Sequence, residues 1–213
     1  MSLSPWRPPD DALPVPWGHI EESLRRPQLG MNPHKLSPRF AENPRRAAVG
    51  VILWGDAAGA RKVVLVQRGY GAPQHPGEIA FPGGMVEPAD RDLPATARRE
   101  VAEELGISEG LWELGCFPDG IAKAQVRFTP VFFRWEDPAP RFSLDRELER
   151  ALLLPLAPLM EAPWTLERLD RHGLALEVPR LELGLDDWTA PLWGATAFVF
   201  KAWLDVLKSC AVP

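Results

Sequence analysis

Apolar positions along the chain fall into short runs rather than one long stripe. "AAVGVILW" (Ala47–Trp54) and "KVVLVQR" (Lys62–Arg68) are two such runs. Short β-branched runs bounded by turn residues read as strands. "DAAG" (Asp56–Gly59) supplies a turn, so the pair is expected to form a hairpin. "GYGAPQHPGE" (Gly69–Glu78) holds three glycines and two prolines without a period, which predicts a loop. "IAF" (Ile79–Phe81) reads as a short strand that "PGG" (Pro82–Gly84) is expected to break.

A helix is predicted from about Pro94 to Leu105. Proline suits its first turn, and Gly106 suits its stop. "LWELGCF" and "AQVRFTPVFFRW" alternate enough for strands, with Pro130 marking a bulge, an edge or a kink. "LERALLLPL" reads as a strand or a short helix, and "GLALEVPRLEL" as a strand pair. "WGATAFVFKAWLDVLK" (Trp193–Lys208) is an amphipathic helix with Phe198, Trp203 and Leu207 usable on a common side. Residues 1–46 are rich in proline and arginine, with one short helix at about Ile20–Arg26. They read as an arm, and residues 47–213 as the domain. Hairpins mixed with separated helices predict an α/β or α+β fold.

Composition narrows the function. Hydrophobic residues make up 46%, which permits a sizeable core. The net charge of −5 argues against a general nucleic-acid binder, which carries a basic surplus. Cys116 and Cys210 form no CxxC pair and no zinc-like cluster, so free thiols in a reducing compartment are expected. "MSLSPWRPPDD" lacks the basic start and apolar run of a secretory signal, and no apolar run reaches membrane-spanning length. A cytoplasmic protein without membrane contact is the expectation.

The stretch "REVAEELGI" (Arg99–Ile107) carries the chemistry. At about 100° per residue, Glu100, Glu103 and Glu104 share an arc about 100° wide. Val101, Ala102 and Leu105 lie opposite. Like charges at i,i+4 weaken a helix by a few tenths of a kcal/mol, so alone this reads as a solvated charged face. The neighbouring "FPGG" changes the balance. Glycines let backbone approach a ligand, and carboxylates beside them suit a hard divalent cation such as Mg²⁺, shared with substrate phosphates.

These residues resemble the Nudix hydrolases, whose pattern is G-x5-E-x7-R-E-U-x-E-E-x-G-U, with U bulky and apolar. Gly84 opens the match, and Arg99 to Ile107 fit every specified position. Two departures stand in between. Asp90 replaces the first glutamate, and eight residues rather than seven separate it from Arg99. The shorter side chain on a longer loop puts a contact back to Arg99 in question. The resemblance implies an α/β/α sandwich around a mixed sheet. It implies Mg²⁺ or Mn²⁺ held by Glu100, Glu103 and Glu104, with Glu100 and Glu104 as direct ligands and the Gly84 carbonyl alongside. Arg99 is expected to orient the carboxylates, and Gly83 and Gly84 to face the substrate. The resemblance implies a small-molecule diphosphate substrate whose bridge is attacked by water. Glu103, or Glu147 on a later loop, is the candidate base, and the choice between them stays open. Many relatives form homodimers, and the expectation extends to this chain.

A narrower resemblance concerns coenzyme A pyrophosphatases of that family, which carry LLTxRSxxLRxHxGxVAFPGG. "VLVQRGYGAPQHPGEIAFPGG" (Val64–Gly84) keeps Arg68, His75, Gly77 and the AFPGG run in register. It implies coenzyme A or an acyl-CoA as substrate, with Arg68 and His75 on the substrate side. Serine becomes Gly69 and the Leu-Arg pair becomes Ala72-Pro73, with Lys123, Arg127 or Arg68 left to contact phosphate. That departure keeps ADP-ribose, nucleotide sugars and dinucleotides open as substrates. A non-catalytic nucleotide-binding module ranks last, because all three glutamates are present.

Overall fold

The computed structural model describes residues 5–9, 14–26, 44–55, 59–71, 75–122, 126–171, 174–185 and 188–211. The Asp56–Ala58 part of the expected turn, the Ala72-Pro73 pair, Lys123 and much of the arm lie outside them.

Helix α1 (Trp17–Arg25) comes first, three residues ahead of the predicted start. Strand β1 (Arg45–Gly55) is central, and β2 (Arg61–Arg68) pairs with it antiparallel, as the hairpin reading expected. Next come β3 (Ile79–Ala80) and β4 (Gly83–Met85). The "PGG" segment therefore does not simply end a strand. The break falls at Phe81–Pro82, and Gly83–Met85 then runs antiparallel along Ala47–Val49 of β1. Helix α2 (Leu93–Leu105) follows.

Strands β5 (Leu111–Cys116), β6 (Gly120–Ala122), β7 (Val126–Trp135) and β8 (Leu148–Pro155) complete an eight-stranded mixed sheet. Its main path runs β3-β2-β1-β7-β5, with β1 and β7 parallel. Pro130 sits inside β7, where the paired neighbour changes from β6 at Phe128 to β5 at Val131. A residue without an N–H costs least at such a junction. "LERALLLPL" is both things expected of it, since β8 runs straight into α3 (Leu156–Met160).

Strands β9 (Thr165–Arg171), β10 (Leu174–Leu185) and β11 (Trp188–Leu192) form a second, three-stranded sheet. "GLALEVPRLEL" is thus one strand rather than two. Its first half pairs with β9 and its second with β11. Helix α4 (Gly194–Ala211) closes the chain.

The large sheet buries both faces. Ala48, Ile52, Val64, Val66, Val131 and Phe133 face α2 through Ala97, Val101 and Leu105. Val51, Leu53, Val63, Leu65 and Phe132 face the other way, onto α4 through Phe200, Trp203 and Leu207. Phe198 is only partly buried there. The layering is the expected α/β/α arrangement around a mixed sheet. Parts of the arm belong to it. Ile20 of α1 is fully buried, Trp203 Nε1 donates to Ser23 Oγ at 2.9 Å, and Trp6 bridges to Leu183 of β10.

Candidate active site

Local sequence fixes α2. The Asp92 carboxylate caps it by accepting from Ala95 N at 2.7 Å, Pro94 lies in the first turn, and Gly106 ends it at φ 71°. That left-handed cap is the geometry that favours glycine. Val101 and Leu105 are fully buried, contributing about 1.5–3 kcal/mol each. This outweighs the few tenths lost to like charges, so packing sets the direction in which the glutamates point.

They point at the twin-glycine strand. Gly83 N donates to Glu104 Oε2 at 3.1 Å. Gly84 lies under Glu100, and a Cβ there would come within 2.6 Å of Glu100 Cδ. Only glycine leaves that space to the carboxylate. Glu100 and Glu104 are 15% and 16% exposed at the side chain, whereas Glu103 is 59% exposed. The shared arc therefore divides into two sheltered carboxylates and one open one.

Arg99 is the hub on one flank. It donates to Glu100 Oε1 at 2.9 Å, to Glu103 Oε2 at 3.2 Å and to the Met85 carbonyl at 2.9 Å. It also donates twice to Asp90, at 3.1 Å each. The contact questioned from sequence is made. Asp90 also accepts from Glu87 N and Thr96 Oγ1 at 2.9 Å each. The Arg99 guanidinium, with these two donors helping, holds the Asp90 carboxyl well below the usual carboxylate range. In return, Asp90 pushes the Arg99 guanidinium up.

Arg68 and Glu147 form the other flank. Arg68 Nη2 lies 2.9 Å from Glu147 Oε2, and Nη1 lies 4.0 Å from Glu104 Oε1. Glu147 arrives through the end of α2. Ser143 N and Asp145 N donate to the carbonyls of Leu105 and Glu104, which have no intrahelical partner. Gly69 N donates to the Glu147 carbonyl at 2.7 Å, locking the loop to the end of β2. Glu103, the other candidate base, sits on the opposite side with Arg99. His75, at φ 55°, places Nδ1 2.7 Å from Glu78 Oε2. Its loop is tied to Arg68 by Gly77 N donating to the Arg68 carbonyl at 3.1 Å. Arg127 is turned to a different task, bound to Asp119, which also accepts from Thr129 at 2.5 Å. The cleft of about 420 Å³ beside Trp17, Arg61 and Arg134 opens at the far end of β1 and touches none of these groups.

Burial pushes the Glu104 carboxyl up to about 7, with Glu100 adding to the rise while the Gly83 N–H and Arg68 oppose it. Burial also raises Glu100, against the pull of Arg99. Two sheltered carboxylates that resist ionisation, beside a glycine cradle, form an oxygen donor set fit for a hard divalent cation. Among the described residues, no three acidic, histidine or cysteine side chains already stand at ligand spacing. Arg99 Nη1 bridges Glu100 and Glu103, so Glu103 meets Glu100 through the guanidinium, while Glu104 stands apart on Gly83 N. Cys116 and Cys210 are both free thiols. No described helix is long and apolar enough to cross a membrane.

The peroxisomal coenzyme A diphosphatase of Caenorhabditis elegans is 33% identical over 128 residues, covering 58% of this chain and 54% of that protein. The mitochondrial coenzyme A diphosphatase of Homo sapiens is 35% identical over 126 residues, 58% of this chain and 53% of its own. The chloroplastic Nudix hydrolase 22 of Arabidopsis thaliana is 29% identical over 186 residues, 83% of this chain and 60% of its own. The chain thus spans about half the length of the curated relatives it matches. Their compartments are peroxisome, mitochondrion and chloroplast, which lends nothing to a cytoplasmic placement. Among solved structures, a MutT protein from Methanosarcina mazei Go1 shares the fold at a TM-score of 0.50 and 15% identity, over 79% of this chain and 96% of that one. The NUDIX domain family matches residues 44–175, from the start of β1 into β10. The chain belongs to the Nudix family.

Proposed function

We propose that this chain is a divalent-metal-dependent hydrolase that splits the diphosphate bond of a nucleoside diphosphate linked to another moiety, coenzyme A or an acyl-CoA first. One observation carries the reading: Glu100 and Glu104 are sheltered together against Gly83 and Gly84, at a Coulombic and desolvation cost that a cation relieves. Glu100, Glu104 and the Gly84 carbonyl, with Glu103 as the third carboxylate, would hold Mg²⁺ or Mn²⁺, which would supply positive charge to the phosphate oxygens. Arg99 keeps the carboxylates aligned, and Asp90 and the Met85 carbonyl keep Arg99 aligned. Arg68, at the mouth of the site with the His75 loop tied to it, steers the phosphates. A water oxygen attacks one phosphorus, the bridging P–O bond breaks, and its electron pair leaves with the other phosphate. The water's proton passes to a carboxylate. Glu147 suits this role better than Glu103, because it shares Arg68 with Glu104, whereas Glu103 is held by Arg99. The coenzyme A diphosphatases among the relatives support the substrate class. The Ala72-Pro73 departure favours a second reading, hydrolysis of ADP-ribose, a nucleotide sugar or a dinucleotide.

The test is a product-resolved panel of diphosphates with Mg²⁺ or Mn²⁺, run beside Glu104→Gln. Release of 3′,5′-ADP from coenzyme A ahead of AMP from ADP-ribose is expected, with most turnover lost in the variant. Cleavage of none of the panel, or full activity in the variant, overturns the proposal.

A further inference from the structure

The loop that carries Glu147 is anchored at both ends and closed by one side chain in between. Phe142 packs on Trp135, with ring centres 5.7 Å apart, and Leu148 is buried in the same core on the α2 side of the sheet. Between them the loop crosses the C-terminus of α2. Ser143 N donates to the Leu105 carbonyl at 2.9 Å, and Asp145 N donates to the Glu104 carbonyl at 3.0 Å. A Cβ on Gly106 would come within 2.7 Å of Ser143 Cβ, so the glycine that stops the helix also leaves room for the loop. After Asp145 the chain turns.

Asp145 closes that turn twice. Its carbonyl accepts from Leu148 N at 3.0 Å, the bond of a β-turn with aspartate in its first place. Its Oδ1 accepts from Glu147 N at 2.9 Å, so the side chain fixes the backbone two residues on. The contacts form a closed circuit. The Glu104 carbonyl holds Asp145 N, Asp145 Oδ1 holds Glu147 N, Glu147 Oε2 meets Arg68 at 2.9 Å, and Arg68 stands 4.0 Å from Glu104 Oε1. Glu104 enters it through both its backbone and its carboxylate. The Glu147 side chain is 48% exposed, so its ion pair with Arg68 is worth under about 1 kcal/mol. That is too little to hold a carboxylate within the roughly 0.5 Å that a catalytic group needs. The backbone beneath it has to do so.

We infer that Asp145 is a positioning residue, which sets the place of Glu147 relative to Glu104 and so ties the proposed base to the carboxylate end of α2. The inference rests on the function proposed above, with Glu147 as the base. Asp145 acts through Glu147 and takes no proton itself.

The experiment compares Asp145→Ala, which removes the Oδ1 acceptor, with Asp145→Asn, which keeps it. Thermal melting checks that both fold. Kinetics are read at saturating Mg²⁺ on coenzyme A, or on the panel diphosphate that turns over in its place. Asp145→Ala is expected to lose roughly tenfold to a hundredfold in kcat, the scale of a displacement of up to 1 Å, with KM within about twofold. Asp145→Asn is expected to stay within about threefold of wild type, because asparagine closes the same turn. Adding Asp145→Ala to Glu147→Gln should cost less than about twofold more, since the group it acts through is already gone. A turn that merely supported the fold would lower kcat by the same factor in both backgrounds. Amide exchange at Glu147 gives a readout without turnover, about fivefold faster in Asp145→Ala and unchanged in Asp145→Asn. If wild type cleaves no diphosphate, the function proposed above fails, while Glu147 exchange still decides whether Asp145 sets the turn. Full kcat in Asp145→Ala, equal losses in the two backgrounds, or unchanged exchange in Asp145→Ala overturns the inference.

Discussion

Replacing Glu104 by glutamine should stabilise the metal-free protein, even though the residue is central to the site. Glu104 is sheltered, and burial lifts its carboxyl from the ordinary 4.5 to about 7. At about 1.4 kcal/mol per pH unit, that gap corresponds to roughly 3 kcal/mol. The sign follows from proton linkage. Below pH 4.5 both the folded and the unfolded chain hold the proton, and Glu104 costs nothing. Between 4.5 and 7 the unfolded chain has released it and the folded chain has not, so stability falls as pH rises. Above 7 the whole penalty is present. Glutamine carries no charge to desolvate and keeps an oxygen for the Gly83 N–H. The variant is therefore expected to gain about 1–3 kcal/mol over wild type at pH 8 in EDTA, and under about 1 kcal/mol at pH 5. For a domain of this size that gain is roughly 3–10 °C in Tm. Urea and thermal melts at the two pH values measure it. Adding Mn²⁺ at pH 8 should raise the wild-type Tm and barely move the variant. A variant less stable than wild type at pH 8, or shifted equally at both pH values, would refute the claim that the ionised carboxylate is strained without a cation.

Three further outcomes follow from the same geometry. Gly84→Ala places a methyl against the Glu100 carboxylate and should cut turnover roughly a hundredfold, the scale of a 1 Å displacement, with the fold retained by circular dichroism. Asp90→Asn should lower stability at neutral pH and flatten the acid limb of a pH-stability profile. The contribution of Asp90 is present above its ordinary 3.8 and is lost as pH falls through the depressed folded value. Glu147→Gln should lower kcat by roughly 10²–10⁴ with little change in KM even at saturating Mg²⁺, whereas the loss in Glu103→Gln should shrink as Mg²⁺ is raised, which steady-state kinetics over a metal titration will separate.

Helix α2 was legible because its determinants are local. Its cap, its first-turn proline, its stop glycine and its apolar face all lie within fifteen residues, and so do its glutamates. The β1 and β2 runs were legible for the same reason. What could not be read depended on distant partners. Strand β4 is mostly glycine and has no side-chain pattern, yet it pairs along β1 and gives the Gly83 N–H to Glu104. Strand β10 reads as a pair from sequence, yet it is one strand that changes partner along its length. Pro179 is tolerated because the β11 ladder begins only at Leu181, so no N–H is needed there on that edge. Glu147 was visible only as a charge, and the contact that recruits it uses backbone carbonyls at the end of α2, which no residue type announces.

The Asp90 departure shows why spacing and side-chain length have to be read together. Compared with the family pattern, the segment is one residue longer and the acid one methylene shorter, and each change alone would move the carboxylate away from Arg99. The chain absorbs both in a turn. Asp90 N donates to the Glu87 carbonyl at 3.0 Å, and Glu87 N donates back to Asp90 Oδ2, so backbone and side chain close the same loop. That closure leaves Asp90 only 6% exposed, next to the first turn of α2, where Thr96 and Arg99 both reach it. The short side chain suffices because the turn carries its backbone to the helix. Two residues on, Asp92 caps the helix by accepting from Ala95 N. The two departures from the pattern therefore compensate each other, and Arg99 stays aligned on Glu100.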